Sequence, residues 1–152
     1  MAARTSLKAA PQILLAAIRS YDGSADSTAA IDLPDPVLLC DEELYQLAEQ
    51  AVQASRALIK TPQRFPQGTP WQQEVWRSIC AIPVGETRSY SDLAKLLGRP
   101  RSSRAVAAAC ASNAWAVVVP CHRVVSKDGS ISGYRWGIRW KRALIEAERS
   151  LA

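Results

Sequence analysis

The stretch Asp92-Leu93-Ala94-Lys95-Leu96-Leu97-Gly98-Arg99-Pro100-Arg101-Ser102-Ser103-Arg104-Ala105-Val106-Ala107-Ala108-Ala109-Cys110-Ala111 holds two helical runs parted by a breaker. Ser89 or Ser91 is placed to cap a first helix over Asp92 to Leu97, and Gly98-Arg99-Pro100 stops it. Ser102 or Ser103 then starts a second helix through Ala111. Helix, tight turn and helix make a helix-turn-helix. The second helix is almost all alanine after Arg104. A helix with ordinary side chains is about 10–12 Å across and the DNA minor groove only about 6 Å wide, so a face cut back to alanine brings the backbone close to a partner. The same composition also suits a helix packed on a neighbour. Arg99, Arg101 and Arg104 at its start favour a nucleic-acid contact.

Charge is divided along the chain in the same sense. From Gly98 onward there are ten Lys/Arg against three Asp/Glu, and before it nine against eleven. With 152 residues, 48% hydrophobic and 22% charged, the chain has a globular composition rather than a disordered one. No apolar run approaches the roughly 20 residues of a membrane span. Four cysteines without close spacing argue against a disulfide framework, and the lack of any CxxC pair argues against zinc.

Upstream, Met1 to Ser20 faintly resembles a targeting peptide, but Pro11 and Gln12 interrupt it and a short helix is expected. Residues 22–36 read as a linker, Asp41 opens a strong helix, and Thr61 to Gly68 with Pro62 and Pro66 is a breaker. The expected organisation is therefore a reduced N-terminal region over 1–64 and a main domain over 65–152. In that domain Thr69-Pro70 caps a helix through Cys80, and Trp115–Val119 is expected as a buried strand. Val124–Ser126 and Ser130–Ser132 flank Lys127-Asp128-Gly129 as a hairpin, and Ile138 to Arg149 closes the chain as a helix.

The chemistry points to Val119-Pro120-Cys121-His122-Arg123-Val124. A cysteine beside the chain's one histidine is a candidate nucleophile, since a neighbouring imidazolium lowers a thiol from about 8.5 to roughly 3.5–7.5. A core cysteine next to a surface histidine is the plain alternative. A Cys–His pair needs a third group to orient the ring. Glu148 follows Leu144 and Ile145 on the apolar face of the last helix, whereas Glu146 lies on its charged face among Arg139, Arg142 and Arg149. A carboxylate turned inward needs a partner, which favours Glu148.

Pro120-Cys121-His122-Arg123-Val124 resembles the active-site motif of the methylated-DNA–protein-cysteine methyltransferases, and the likeness runs from about Phe65 to Glu148. Gly85-Glu86-Thr87-Arg88-Ser89-Tyr90 is similar to the segment before that family's helix-turn-helix, Arg104-Ala105-Val106 to the start of its recognition helix, and Asn113 to its asparagine hinge. Ser132-Gly133-Tyr134-Arg135-Trp136-Gly137 resembles its pocket loop in the bacterial adaptive-response version.

The resemblance implies an α+β, mostly helical domain with a winged-helix-like helix-turn-helix and a short β element. It implies Cys121 as alkyl acceptor, His122 as base through a water, Glu148 as its orienter and Tyr90 as donor to the guanine ring nitrogen. Arg104 would fill the gap left by a flipped nucleotide, with Arg101, Ser103, Ala105 and Asn113 serving the DNA-binding side. Tyr134, Arg135, Trp136 and the backbone at Val124 would line the pocket. Implied too are a suicide DNA-repair reaction with no cofactor or metal, double-stranded DNA containing 6-O-alkylguanine as partner, and a monomer. The expected place is the cytoplasm with the nucleoid in a bacterium, or the nucleus in a eukaryote. A lesion-binding protein that transfers nothing is the alternative, and a cysteine hydrolase a weaker one. The family's N-terminal sheet is expected to be reduced or absent, and no counterpart of the zinc-bound regulatory module of adaptive-response proteins is expected.

Overall fold

Reciprocal capping starts the first helix of the main domain. The Thr69 hydroxyl accepts from the Gln72 backbone N–H at 3.2 Å, the Gln72 side chain accepts from the Thr69 N–H at 2.9 Å, and Pro70 occupies the first turn. The structure is a computed structural model that describes residues 14–16, 18, 30–56 and 66–152. Its helices are α1 (Asp41–Arg56), α2 (Pro70–Cys80), α3 (Tyr90–Leu96), α4 (Ser103–Ala111) and α5 (Ile138–Leu151). Two-residue strands β1 (Arg88–Ser89) and β2 (Val124–Val125) complete the order. Among the described residues no helix is long and apolar enough to cross a membrane.

The helix-turn-helix forms as expected, with local chemistry at each junction. Ser89 caps α3 by accepting from Asp92 N–H at 3.0 Å. Gly98 ends it at φ +74, a left-handed conformation that glycine adopts without strain. Gly98 N–H bonds Lys95 O at 3.0 Å and Arg99 N–H bonds Ala94 O at 2.9 Å, closing the helix and turning the chain into α4.

Helix α4 has few side chains with which to anchor itself, so α2 supplies the anchors. Trp71 Nε1 donates to Ala105 O at 3.3 Å, Trp76 Nε1 to Ala109 O at 2.8 Å, and Gln72 Nε2 to Ser112 Oγ at 3.2 Å. These three donors meet α4 near its start, its middle and its end.

Two expectations on the β element are corrected. Residues 115–119 form a buried turn, not a strand: Val117 has φ 68, and Val119 N–H bonds back to Trp115 O at 3.1 Å. Only Trp115 makes a bridge, with Ile31. A short β-branched apolar run signals burial without saying which backbone form is buried, and here Asn113 side-chain bonds replace a ladder. Val124–Ser126 and Ser130–Ser132 do not make a two-stranded hairpin either. The turn itself is present, with Ser126 N–H bonded to Ser130 O at 3.1 Å. But β2 pairs in parallel with β1, Arg88 opposite Val124 and Ser89 opposite Val125, while Ser132 O is taken by Lys141.

Helices α1 and α5 pack along each other through Leu44, Leu47, Ala48, Ala51 and Val52 on one side and Leu144 and Ala147 on the other. Residues before and after position 64 therefore share one continuous core. The extended segment leading into α1 lies against the main domain. Pro34 O accepts from Trp140 Nε1 at 2.7 Å, and Arg139 reaches Pro36 O, Leu39 O and Asp41 Oδ1 at 2.5, 3.0 and 2.8 Å. Among the described residues before position 65, Ile31 bridges to Trp115. Of the expected N-terminal helix, residues 14–16 and 18 are helical, with Leu14 and Ile18 buried. The rest of Met1 to Ser20, residues 22–29 of the linker and 61–65 of the breaker lie outside the described residues.

Candidate active site

Pro120 ends the buried turn, and residues Cys121–Arg123 form a single 3-10 turn before β2. That turn sends three consecutive side chains to different tasks. Cys121 lines a cavity of about 410 Å³ together with Tyr90, Ala107, Cys110, Ser132, Tyr134 and Arg135. His122 and Arg123 point the other way, into the protein, and both meet Glu148.

His122 is fully buried, and its Nε2 lies 2.6 Å from Glu148 Oε1. Arg123 donates to the same carboxylate twice, Nε to Oε2 at 2.8 Å and Nη2 to Oε1 at 2.9 Å, and its Nη1 donates to Ile82 O at 2.7 Å. Burial alone would raise the Glu148 pKa, but His122 and then Arg123 outweigh it and hold the carboxyl at about 2. With Nε2 held by the carboxylate, Nδ1 is the ring nitrogen left over. Nδ1 is buried and has no partner among the described residues. A buried polar atom without a partner is costly.

The thiol departs from the expectation of a resting thiolate. Burial pushes Cys121 up from the ordinary thiol value, against Asn113, whose amide donates to Sγ at 3.3 Å, and against the charge of Lys141.

Asn113 is fully buried and joins the helix-turn-helix to the thiol. Its Nδ2 donates to Val119 O at 2.9 Å and Trp115 O at 3.2 Å as well as to the sulfur, and its Oδ1 accepts from Trp115 N–H at 3.0 Å. It braces the 115–119 turn.

Tyr90, at the start of α3, points its hydroxyl to Ser132 O at 3.4 Å, and burial pushes its pKa up to about 12. Lys141 was absent from the sequence reading. It is 1% exposed and donates to Tyr90 Oη at 3.3 Å and to the carbonyls of Ser132 and Gly133 at 3.1 Å. Burial lowers its pKa while the pocket thiols oppose the shift. One signal was available: Lys141 lies seven residues before Glu148, hence on the same inward face of α5.

The other expected residues divide. Tyr134 and Arg135 line the cavity, and Arg135 Nη1 also donates to Asn113 O at 3.1 Å. Trp136 does not reach it. Its ring packs edge-on behind Tyr134 at 5.2 Å, and its Nε1 donates to Asp32 Oδ1 at 3.0 Å. Val124 has its side chain wholly in the core. Arg101, Arg104 and Ala105 are exposed and Ser103 is half-buried, on the outer side of α4. Ala107 and Ala111 of that helix form part of the cavity wall, so its small residues serve the pocket as well as the surface. Among the described residues no group of three His, Cys, Asp or Glu is arranged to hold a metal ion.

Residues 70–150, more than half the chain, match the profile described as 6-O-methylguanine DNA methyltransferase, DNA binding domain. The chain belongs to this family. It is 57% identical over 82 residues to the regulatory protein ada of Salmonella typhimurium, covering 54% of this chain and 23% of that protein. To a methylated-DNA–protein-cysteine methyltransferase of Mycobacterium tuberculosis it is 49% identical over 86 residues, 57% of this chain and 52% of that one. The crystal structure of Mycobacterium tuberculosis OGT in complex with DNA superposes with TM-score 0.55 at 48% identity, covering 57% of this chain and 54% of that one. The 6-O-methylguanine-DNA methyltransferase of Pyrococcus kodakaraensis superposes with TM-score 0.51 at 29% identity, over 95% and 80%. The chain thus spans about half, or less, of these curated relatives' lengths. The family match falls on the helices, turn and pocket that hold Cys121, His122 and Glu148.

Proposed function

We propose that this protein repairs DNA by moving the alkyl group of a 6-O-alkylguanine in double-stranded DNA onto Cys121, once per molecule. The observation that carries the reading is a cysteine at a cavity wall, followed in sequence by a buried histidine whose Nδ1 has no partner among the described residues. The cavity lies in the size range of small-molecule pockets, about 300–1,000 Å³. A base inside a duplex reaches such a pocket only by extrusion, at a cost of a few kcal/mol. The alanine face of α4 allows close approach in the minor groove, and Arg104 at its start is placed to occupy the vacated stack.

The reaction balances simply. His122 Nδ1 takes the thiol proton through a water, and the Glu148 carboxylate, itself held by Arg123, steadies the resulting imidazolium. The thiolate attacks the alkyl carbon in line, an S–C bond forms, and the C–O bond to guanine breaks. The departing guanine takes a proton on its ring nitrogen from the Tyr90 hydroxyl, and Lys141 Nζ resupplies Tyr90. The imidazolium returns the thiol's proton through solvent, so that the net transfer is one proton from thiol to guanine. The thioether is a poor leaving group, so Cys121 is not regenerated. The protein acts as a monomer wherever the genome lies, with the nucleoid in a bacterial cytoplasm or in a eukaryotic nucleus.

The test is a single-turnover incubation with duplex DNA containing 6-O-methylguanine, read by mass spectrometry of intact protein and peptides. One methyl on the peptide holding Cys121 is expected. Multiple turnovers, or methyl on Cys80 or Cys110, would reject the mechanism.

A further inference from the structure

The turn between α3 and α4 carries an arrangement that the catalytic chemistry does not use. Arg99 is exposed, and its guanidinium carbon lies 4.8 Å from the centroid of the Trp71 ring, over its face. Trp71 is held in turn by its indole N–H, which donates to Ala105 O in the first turn of α4. The Arg99 backbone is fixed on both sides, its N–H bonded to Ala94 O and its carbonyl accepting from Ser102 N–H, each at 2.9 Å. Among the described residues Arg99 forms no ion pair with a carboxylate. An exposed arginine ordinarily spends its rotamer freedom on binding, whereas one stacked on an aromatic ring is already oriented. Its planar face is occupied by the indole, and its N–H edges stay free for an anion.

We propose that Arg99 is a backbone-phosphate contact of the DNA interface and that Trp71 is the residue positioning it. Trp71 ties two parts of that interface together: its ring orients the cation of the turn, and its N–H fixes the start of the recognition helix. The stack therefore sets the register in which α4 meets the duplex. It supplies no base information, because a phosphate contact orients the protein without reading sequence. The inference rests on the duplex-binding part of the proposed function and not on alkyl transfer.

The experiment is equilibrium binding of the full chain to an unmodified duplex across a salt series, for the parent, Arg99→Gln, Arg99→Lys and Trp71→Phe. One lost phosphate contact reduces the slope of log K against log salt by about 0.9. Arg99→Gln is expected to show that reduction, so its affinity deficit is largest at low salt and closes as salt rises. Arg99→Lys is expected to restore the slope but not the whole affinity, having the charge without the planar face. Trp71→Phe is expected to keep the slope and bind several-fold more weakly, since the charge stays and the indole N–H bond is lost. An Arg99→Gln slope equal to the parent's overturns the phosphate contact. Unaltered binding by Trp71→Phe overturns the positioning role. A parent that binds duplex with this behaviour yet transfers no methyl group leaves the contact standing and rejects the repair reading alone.

Discussion

Two arginine-rich regions of this protein use the same side chain in opposite ways. Inside, Arg123 sits against Glu148 and His122 with each guanidinium nitrogen bonded, and the cluster is shut off from water. Outside, Arg99, Arg101 and Arg104 stand exposed around the start of α4, with no carboxylate partner among the described residues. A buried charge has to be paired where it sits, because desolvation left uncompensated costs several kcal/mol. An exposed charge costs little to leave open, and its attraction to a polyanion is realised on binding. On the proposed function, the inner cluster would act on rate and stability, and the outer set on affinity.

That contrast is broken first at the thiol. Cys121→Ala is expected to abolish methyl transfer entirely while duplex binding persists, read by labelled-methyl transfer beside gel retention. Loss of both activities together would mean that the two regions are not separable.

The inner cluster comes next. Glu148→Gln leaves a buried guanidinium short of its countercharge and an imidazole without its orienting anion. It is expected to slow transfer by about 100-fold or more and to destabilise by about 3–5 kcal/mol, as removing one partner of a buried pair does. Chemical denaturation checks the stability, and single-turnover rates on the folded fraction check the chemistry. The same carboxyl imposes a pH dependence. Its pKa falls from 4.5 to about 2 on folding, so its stabilisation is fully present above about 4.5 and is lost as the pH drops toward 2. Protein with Glu148→Gln should show a flatter decline over that acid window in thermal melts.

The outer set is sharpened by Arg104→Ala. This substitution is expected to slow repair in a duplex about tenfold or more and to affect reaction with free 6-O-benzylguanine far less. Equal losses on both substrates would remove Arg104 from the stack-filling role.

The smallest effect belongs to the segment that backs the pocket. Asp32→Ala removes the acceptor of the Trp136 N–H, and a cost of about 1 kcal/mol is expected in denaturation. A larger loss would show that the segment before α1 carries more of the shared core than its bonds suggest.

Much of this division was legible in the residues. Thr69-Pro70, Ser89 and Gly98 announced helix ends, because caps and left-handed turns are chemistry between neighbours in sequence. Glu148 was distinguishable from Glu146 by helical phase, and the family resemblance carried the roles of Cys121, His122 and Asn113. Lys141 could have been found by the same phase argument, had a buried lysine been looked for on that face. Trp136 read as a pocket residue because its loop is one, yet which side of a loop faces a cavity depends on what stands behind it. Here that is Asp32, more than a hundred positions away.

Local order followed from short-range rules: helix limits, the breaker at Gly98, the small face of α4 and the chemical identity of the nucleophile all arise within a few residues of one another. The resting acidity of that nucleophile did not, since Cys121 beside His122 suggested a lowered pKa and burial raised it instead. Nor did the pairing of β2, the form of residues 115–119 or the convergence of Tyr90, Lys141 and Ser132. Those features depend on desolvation and on contacts between distant segments, and both come into existence only when the chain has packed.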